Sequence, residues 1–313
     1  MDTLYSTPAA PSSQRPTGSL KQWVLASRPW AFTASIIPVA LGSALAATEV
    51  PFRPGLFLLT LVAGILMQAA VNYLNTYGDY ISGVDTPESV TPSSAQLVRG
   101  ELDPLTMRNV GLGTLLTAIL LGVYPVWVGG WPVLVCGAIG FFGVLFYTTF
   151  LPYKYKGLGP PFVFFLMGPL MVLPAWYIQG AEGFWTPLLA SLPVGCMVAG
   201  ILHGNDLRDI GYDNSAGIST PASGLGLSGS IILYKALYVG AYLILGALVL
   251  FKVLDYFALL PLLALPPVYK TLRGLNAQSE RSRIQSLELT SGKLHFLFGL
   301  LLTLGVAISI FVR

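Results

Sequence analysis

The sequence predicts an all-α, polytopic membrane protein of about nine spanning helices packed into one bundle of two similar halves with a central cavity. Hydrophobic residues make up 54% of the 313 positions, and charged residues make up only 10%. The mean hydropathy is correspondingly high, at +0.70. Polar residues are collected in a few stretches between long apolar runs. Such a composition is typical of integral membrane proteins and excludes an ordinary soluble domain.

Nine apolar runs supply the predicted spans, although the eighth is short for crossing a bilayer. They fall near residues 29–48, 55–77, 109–129, 131–151, 161–179, 186–204, 231–252, 255–269 and 294–312. Residues 1–20, rich in Pro, Ser and Thr, are expected to form a disordered tail. Residues 21–313 are expected to form a single membrane domain.

Two polar motifs share a pattern in which an Asn precedes an Asp by four residues. They are Asn72-Tyr-Leu-Asn75-Thr-Tyr-Gly-Asp79, continuing to Asp85, and Asn205-Asp206-Leu-Arg208-Asp209, continuing to Asp213. The copies lie 130 positions apart and hold five of the eight aspartates. Acidic groups at membrane depth need a balancing cation, so we interpret the motifs as halves of one divalent-metal site. A single such motif could instead be a solvated helix end.

The basic residues predict the orientation of the bundle. All but three of the 17 Lys and Arg lie in the N-terminal tail or near the loops after the second, fourth, sixth and eighth spans; the exceptions are Arg53, Lys252 and Arg313. The positive-inside rule then places the N-terminus and both motifs in the cytoplasm. The net charge of +3 is small, and no basic patch suited to nucleic acid is present.

Helical spacing brings the polar side chains of each motif onto one face. Asn75 shares a face with Asp79, and Asn205 shares one with Asp209 and Asp213; Asp206 and Asp209, three residues apart, also lie nearly in line. Asp85 lies six residues past Asp79, off that face, but Gly83 would let the chain turn and return Asp85 to the site. Two carboxylates about 6 Å apart repel by roughly 3 kcal/mol at an effective dielectric of 20, so the cluster needs protons or metal ions.

Oxygen donors without Cys or His favour Mg²⁺ over Zn²⁺ or copper. Mg²⁺ usually takes one or two carboxylates and completes its shell with water and phosphate oxygens, so two facing motifs suit a diphosphate held through metal ions. Three cations could contact that diphosphate directly: Lys154, Lys156 and Arg208. His203, two residues before the second motif, could orient the acceptor or move a proton, but helix packing is the preferred interpretation. His295 is expected to be interfacial.

These motifs resemble the two signature motifs of the UbiA-type intramembrane prenyltransferases, and most closely those of the branch that prenylates 1,4-dihydroxy-2-naphthoate. The resemblance extends over nearly all of the chain beyond the tail. It includes Ser27-Arg-Pro29, Tyr147-Thr, Lys154-Tyr-Lys-Gly-Leu-Gly159, Gly168-Pro169 and Thr290-Ser-Gly-Lys293-Leu. The sequence departs from the family pattern at Thr76, Pro160-Pro161 and Thr220-Pro221.

The resemblance implies transfer of a polyprenyl group from an allylic polyprenyl diphosphate to a small aromatic acceptor in the membrane lipid. It also implies two Mg²⁺ ions and a role for each motif residue. Metal ligands would be Asn75, Asp79, Asp85, Asp206, Asp209 and Asp213; diphosphate or substrate contacts Asn72, Asn205 and Lys156; and catalytic groups Tyr147, Lys154 and Arg208. The implied acceptor is 1,4-dihydroxy-2-naphthoate, decarboxylated to give a demethylmenaquinone precursor.

Two other functions stay open at the level of the sequence. The same chemistry could use homogentisate, 4-hydroxybenzoate or another acceptor. A cation-coupled transporter could also place carboxylates in the membrane. Its site should lie near mid-membrane, however, whereas these motifs are predicted at helix ends beside Lys154 and Arg208.

Overall fold

The computed structural model describes residues 18–83, 85, 94–145, 158–216, 219–276, 278 and 281–312, and all its regular elements are helices. In chain order the α-helices are α1 Leu20–Ala26, α2 Thr33–Ala46, α3 Pro54–Ile81, α4 Ala95–Val98, α5 Pro104–Leu145, α6 Gly159–Met167, α7 Pro169–Ile178, α8 Trp185–Ala216, α9 Pro221–Leu250, α10 Leu265–Arg273, α11 Arg281–Gln285 and α12 Leu287–Val312. Two 3₁₀ helices cover Pro29–Ala31 and Tyr256–Ala264. The predicted all-α class is confirmed. Most of the tail that we expect to be disordered lies outside the described residues, and the single membrane domain stays a prediction.

Proline fixes where several of these helices begin. Pro54, Pro104, Pro169 and Pro221 each occupy the first helical position, where the missing N–H costs nothing and the fixed φ suits a helix. Before Pro221, the Thr220 side chain caps α9 by accepting a hydrogen bond from the Ser223 backbone N–H at 3.1 Å. Thr220 and Pro221, where the sequence departs from the family pattern, are therefore the cap and the first residue of α9.

Seven segments of the described chain are long and apolar enough to cross a membrane, so the predicted count of nine is not confirmed. The runs expected at 109–129 and 131–151 lie, as far as residue 145, in α5, whose two helical parts meet at a kink at Gly130 with φ 70° and ψ −157°. The short run expected at 255–269 forms the second 3₁₀ helix followed by α10. Prolines and glycines interrupt these helices without adding polar residues. The apolar composition alone therefore does not determine the number of spanning helices.

Helix α2 lies at the centre of the bundle and packs against α3, α7, α8 and α12. Glycines allow two of these approaches. A Cβ on Gly42 would lie 2.4 Å from the carbonyl oxygen of Val172 in α7, and one on Gly299 of α12 would lie 2.1 Å from Ile37. Small residues of this kind let membrane helices pack with their backbones close together.

The helices that carry the two motifs flank this central helix. Helix α3 packs mainly against α5, and α8 packs mainly against α9, α12 and α6. Both contact α2, but within the described residues α3 and α8 are not packed along each other. Helices α3 and α8 are thus separated in the fold, and they are connected through their shared contacts with α2.

Candidate active site

The first motif occupies the last turns of α3. The helix runs to Ile81, further than the apolar run predicts, so Asn72, Asn75 and Asp79 are all helical. Asn72 and Asp79 are buried, and Asn75 is half-buried. These three residues therefore lie on a helix, as predicted. Their spacing of three and four residues places the three side chains along one side of α3.

Asp85 returns to the end of α3 through a tight turn. Gly83 has a φ of +74°, a left-handed conformation that glycine adopts without a steric penalty. The backbone N–H of Asp85 then donates a hydrogen bond to the carbonyl of Asp79 at 3.2 Å. The turn predicted from Gly83 is present, and it places the backbone of Asp85 beside that of Asp79.

Asn72 is engaged in holding the chain before α2 against α3. Its Nδ2 donates to the carbonyl of Ser27 at 2.7 Å, and its Oδ1 accepts from Gln68 at 3.4 Å. Both ends of the amide are therefore used within the protein. The role of Asn72 in diphosphate binding stays a prediction, and the structure favours a positioning role.

Arg28 is a cation at the first motif and is not among the site residues predicted from the sequence. It has the left-handed backbone angles φ 54° and ψ 62°, which cost a non-glycine residue about 1–2 kcal/mol. Its Nη2 donates to the hydroxyl of Thr76 at 3.2 Å. Within the described part of the chain, its buried Nε has no hydrogen-bond partner. A strained arginine with a spare donor next to the motif suits an anionic substrate.

The second motif lies on the last turns of α8, where an ion-pair cluster surrounds Arg208. Its Nε and Nη2 donate to the two carboxylate oxygens of Asp209 at 2.8 and 2.7 Å. Its Nη1 donates to Oε2 of Glu288 on α12. The side chains of Arg208, Asp209 and Glu288 are 16%, 37% and 14% exposed, so this cluster is largely removed from solvent.

Asp213 and Asp206 lie beside polar side chains outside the Arg208 cluster. Asp213 is buried and accepts a hydrogen bond from Thr220 at 3.4 Å. Oδ2 of Asp206 lies 3.8 Å from Nδ1 of His203. The Nε2 of that histidine lies 2.9 Å from the carbonyl oxygen of Ser230. Since a carbonyl can only accept, Nε2 carries the proton. His203 is fully buried, which supports its interpretation as a packing residue.

One short segment joins the two motifs. Arg28 reaches Thr76 in the first motif. Two residues later, Nε1 of Trp30 donates to Oε1 of Glu288 at 3.1 Å, and Glu288 binds Arg208 in the second motif. The two motifs, far apart in sequence, are thus linked at one end of the bundle. Glu288 was not identified from the sequence, because a single glutamate before an apolar run carries no motif.

The described oxygen donors fit Mg²⁺ only if a ligand completes its shell. No three His, Cys, Asp or Glu side chains among the described residues are grouped closely enough to hold a metal ion by themselves. The motifs nonetheless supply only carboxylate and amide oxygens, and within the described chain the buried Oδ1 of Asn205 has no hydrogen-bond partner. Such a partial shell is what Mg²⁺ uses when phosphate oxygens provide the rest.

Three of the predicted site residues lie outside the described residues: Tyr147, Lys154 and Lys156. The nearby Pro160 is buried in the first turn of α6. The interfacial position expected for His295 stays a prediction, because burial inside the bundle does not fix its depth in the membrane. Its side chain is fully buried, and its Nδ1 lies 2.8 Å from the hydroxyl of Thr33 in α2, because close packing of α2 and α12 encloses it.

A helical membrane bundle with two linked Asn/Asp motifs, and with an arginine at each motif, suits an intramembrane protein that binds a phosphorylated substrate. The chain belongs to the UbiA prenyltransferase family, whose model matches residues 35–298. The resemblance noted from the motifs is confirmed, and the protein is a membrane prenyltransferase. This membership argues against the alternative of a cation-coupled transporter.

Individual relatives agree with this assignment. The chain is 32% identical over 291 residues to a 1,4-dihydroxy-2-naphthoate octaprenyltransferase of Bacillus subtilis, covering 92% of this chain and 93% of that protein. It is also 32% identical over 293 residues to the human UbiA prenyltransferase domain-containing protein 1, covering 92% and 83%. The solved structure of a UbiA homolog from Archaeoglobus fulgidus bound to GPP and Mg²⁺ has a TM-score of 0.60 at 14% identity, covering 90% and 99%. That last likeness shows a shared fold.

Proposed function

We propose that this enzyme transfers a polyprenyl group from an allylic polyprenyl diphosphate to 1,4-dihydroxy-2-naphthoate, with loss of CO₂, to give a demethylmenaquinone precursor. The observation that carries the proposal is the pair of Asn/Asp motifs joined through residues 28–30. The relative from Bacillus subtilis, whose name specifies this acceptor, supports the choice of naphthoate over homogentisate or 4-hydroxybenzoate.

The reaction balances without an added oxidant or reductant. The bond between the first prenyl carbon and its oxygen breaks, and its electron pair leaves with diphosphate. The acceptor carbon that bears the carboxylate attacks the prenyl carbon. The carboxylate then leaves as CO₂, and the electron pair of the broken carbon–carbon bond restores the aromatic ring. The difficult step is separating positive carbon from negative diphosphate.

Residues of both motifs would hold the metal ions that bind the diphosphate. In this proposal Asn75, Asp79 and Asp85 serve one Mg²⁺ ion, and Asp206, Asp209 and Asp213 the other, with Asn205 beside them. Bound Mg²⁺ would supply charge stabilisation to the leaving diphosphate.

The arginines act on the same leaving group. Within the part of the chain that the structure describes, the buried Nε of Arg28 has no hydrogen-bond partner, and Arg208 presents a planar set of donors. Guanidinium groups bind phosphate oxygens through parallel hydrogen bonds. Asn72 holds the Ser27 turn that orients Arg28. The apolar bundle excludes water, which would otherwise capture the allylic cation. Tyr147, Lys154 and Lys156 keep their predicted roles beside the cation and the diphosphate.

The orientation inferred from the basic residues belongs to this proposal. With the N-terminus and both motifs in the cytoplasm, the site would receive charged diphosphate and naphthoate substrates from water, while the prenyl chain lies in lipid. Cysteine labelling from either side of sealed, right-side-out vesicles, whose interior corresponds to the cytoplasm, tests this placement. Labelling of a Lys21→Cys variant from the outside only would contradict it.

The activity test uses purified protein in nanodiscs with labelled geranylgeranyl diphosphate and each acceptor in turn, with Mg²⁺ or with EDTA. We expect an EDTA-sensitive prenylated naphthol and one CO₂ per product. Product from 4-hydroxybenzoate or homogentisate but not from the naphthoate would overturn the acceptor. Product in EDTA at the full rate would overturn the role of the metal.

A further inference from the structure

Glu288 lies outside both motifs but contacts the second through Arg208. It is the second residue of α12, and its two carboxylate oxygens have different partners: Oε2 accepts from Nη1 of Arg208, and Oε1 accepts from Nε1 of Trp30. Its side chain is only 14% exposed. A carboxylate held in this way is fixed in position, and its charge is little screened by water.

Arg208 occupies the oxygens that a metal ion would need. Both carboxylate oxygens of Asp209 receive hydrogen bonds from the same guanidinium group. Asp209 therefore cannot chelate a cation through the lone pairs that face Arg208 on both oxygens until Arg208 releases at least one of them. The third nitrogen of Arg208, Nη1, is bound to Glu288 instead, so it can keep its partner while the other two nitrogens change theirs.

We propose that Glu288 is a positioning residue that retains Arg208 in the site while the arginine passes from Asp209 to the diphosphate of the substrate. The inference rests on the proposed function, because it requires a metal-bound diphosphate at the second motif. Glu288 acts as an outer-shell partner: it does not touch the metal, but it sets where the neighbouring cation and carboxylate lie.

Removing the charge of Glu288 weakens binding because Arg208 is left with Asp209 as its only carboxylate partner among the described residues. A metal ion must then compete harder with the guanidinium group for Asp209, and the guanidinium group loses the contact that retains it in the site. The change in net charge alone would act in the opposite direction, because the cluster becomes less negative and the Mg²⁺–pyrophosphate complex is an anion. Weaker binding by Glu288→Gln is therefore specific to the positioning role.

Trp30 provides a signal that does not depend on turnover. Its indole N–H donates directly to Glu288, so its chemical shift responds when Glu288 or its arginine partner changes position. The chain contains six tryptophans, and a Trp30→Phe variant identifies which indole signal belongs to this residue.

The test titrates a preformed Mg²⁺–pyrophosphate complex into full-length, ¹⁵N-tryptophan-labelled protein in nanodiscs, followed by calorimetry and by the indole signals. In the wild type we expect saturable heat and a shift of the Trp30 signal. Glu288→Gln should weaken binding by about 10- to 100-fold, the range for outer-shell partners. Glu288→Asp, which keeps the charge, should bind more tightly than Glu288→Gln. The KM for prenyl diphosphate should rise in parallel, with no change in the KM for the acceptor.

Glu101→Gln is the matched control. Glu101 is likewise a part-buried glutamate with a side-chain partner, accepting from Nε2 of Gln22 at 2.8 Å, but that partner belongs to neither motif. We expect wild-type affinity. If Glu288→Gln binds the complex as tightly as the wild type, or if both Glu288 variants weaken binding equally while the Trp30 signal does not move, the proposal is overturned. If the folded wild type gives neither heat nor shift, the diphosphate site of the proposed function itself fails.

Discussion

The backbone N–H of Asp85 donates a hydrogen bond to the carbonyl of Asp79, 3.2 Å away, although six residues separate them. This bond closes the turn after α3 and brings the second acidic residue of the first motif back to the helix end. The turn depends on Gly83, whose φ of +74° falls in the left-handed region. The geometry of a proposed metal site thus depends on one glycine that ligates nothing.

Gly83→Ala should therefore weaken Mg²⁺–pyrophosphate binding and slow prenyl transfer. An added Cβ would meet no atom within 4 Å, so the cost is backbone strain of about 1–2 kcal/mol, equivalent to roughly a ten-fold change in affinity. Gly83→Asn should be milder, because Asn tolerates this conformation. Calorimetric titration measures both.

Gly78→Ala is the control for that comparison. Gly78 lies within α3, and a Cβ there also meets nothing within 4 Å. Alanine is favoured over glycine in a helix by up to about 1 kcal/mol, so this variant should keep its binding and gain a little stability. Equal binding by the Gly83→Ala and Gly78→Ala variants would contradict the role of the turn.

The aspartates at the ends of both motif helices should be needed for catalysis and not for folding. Asp79→Ala and Asp209→Ala should each lower the rate of prenyl transfer by at least about 100-fold, the cost of losing one strong stabiliser of transition-state charge. Arg208 keeps Glu288 in the second variant, so its charge stays paired and the bundle should remain folded. Rates with a labelled diphosphate and thermal unfolding curves test both statements.

Asp255→Asn gives a matched aspartate outside the motifs. Asp255 caps the 3₁₀ helix Tyr256–Ala264 by accepting from the backbone N–H of Phe257 at 3.2 Å. Asn caps helices about as well as Asp, so activity and stability should be unchanged. The assignment of Asp209 as a metal ligand would be contradicted if folded Asp209→Ala protein transferred prenyl groups at the same rate as the Asp255→Asn variant.

Much of the first motif could be predicted from sequence because its geometry is local. The faces of α3 and α8 follow from helical periodicity, and the return of Asp85 follows from one glycine. The contacts of Arg208 could not be predicted, because Glu288 lies 80 positions away and belongs to no repeated pattern. Arg28 has no predicted role beyond its place in the segment Ser27-Arg-Pro29, and only the structure shows its bond to Thr76.

The central position of α2 predicts a strong packing requirement at Gly42. A Cβ there would lie 2.4 Å from the carbonyl oxygen of Val172 and 2.8 Å from Cβ of Ala175, so α2 and α7 would have to separate. We expect Gly42→Ala to lower the free energy of unfolding by about 1–3 kcal/mol, the usual cost of overpacking. Gly113→Ala on α5, where nothing lies within 4 Å, should not. Unfolding in detergent with increasing denaturant measures both; equal stabilities would contradict the close approach of α2 and α7.

Arg28 should bind the diphosphate and not the acceptor. Its Nη2 is bonded to Thr76 beside the first motif, and its buried Nε has a spare donor within the described chain. A hydrogen bond to a charged group contributes about 1.5–3 kcal/mol, so Arg28→Ala should raise the KM for polyprenyl diphosphate by roughly ten-fold or more and leave the KM for naphthoate unchanged.

Two control variants separate the charge of Arg28 from its backbone strain. Alanine does not relieve the strain of the left-handed backbone angles, whereas Asn tolerates them. Arg28→Asn should therefore show the same KM defect without the strain. Lys21→Ala removes an exposed cation from α1 and should change neither constant. A matching rise in both KM values for Arg28→Ala would instead mean that the residue shapes the site as a whole, because a residue that contacts only the diphosphate cannot weaken binding of the acceptor.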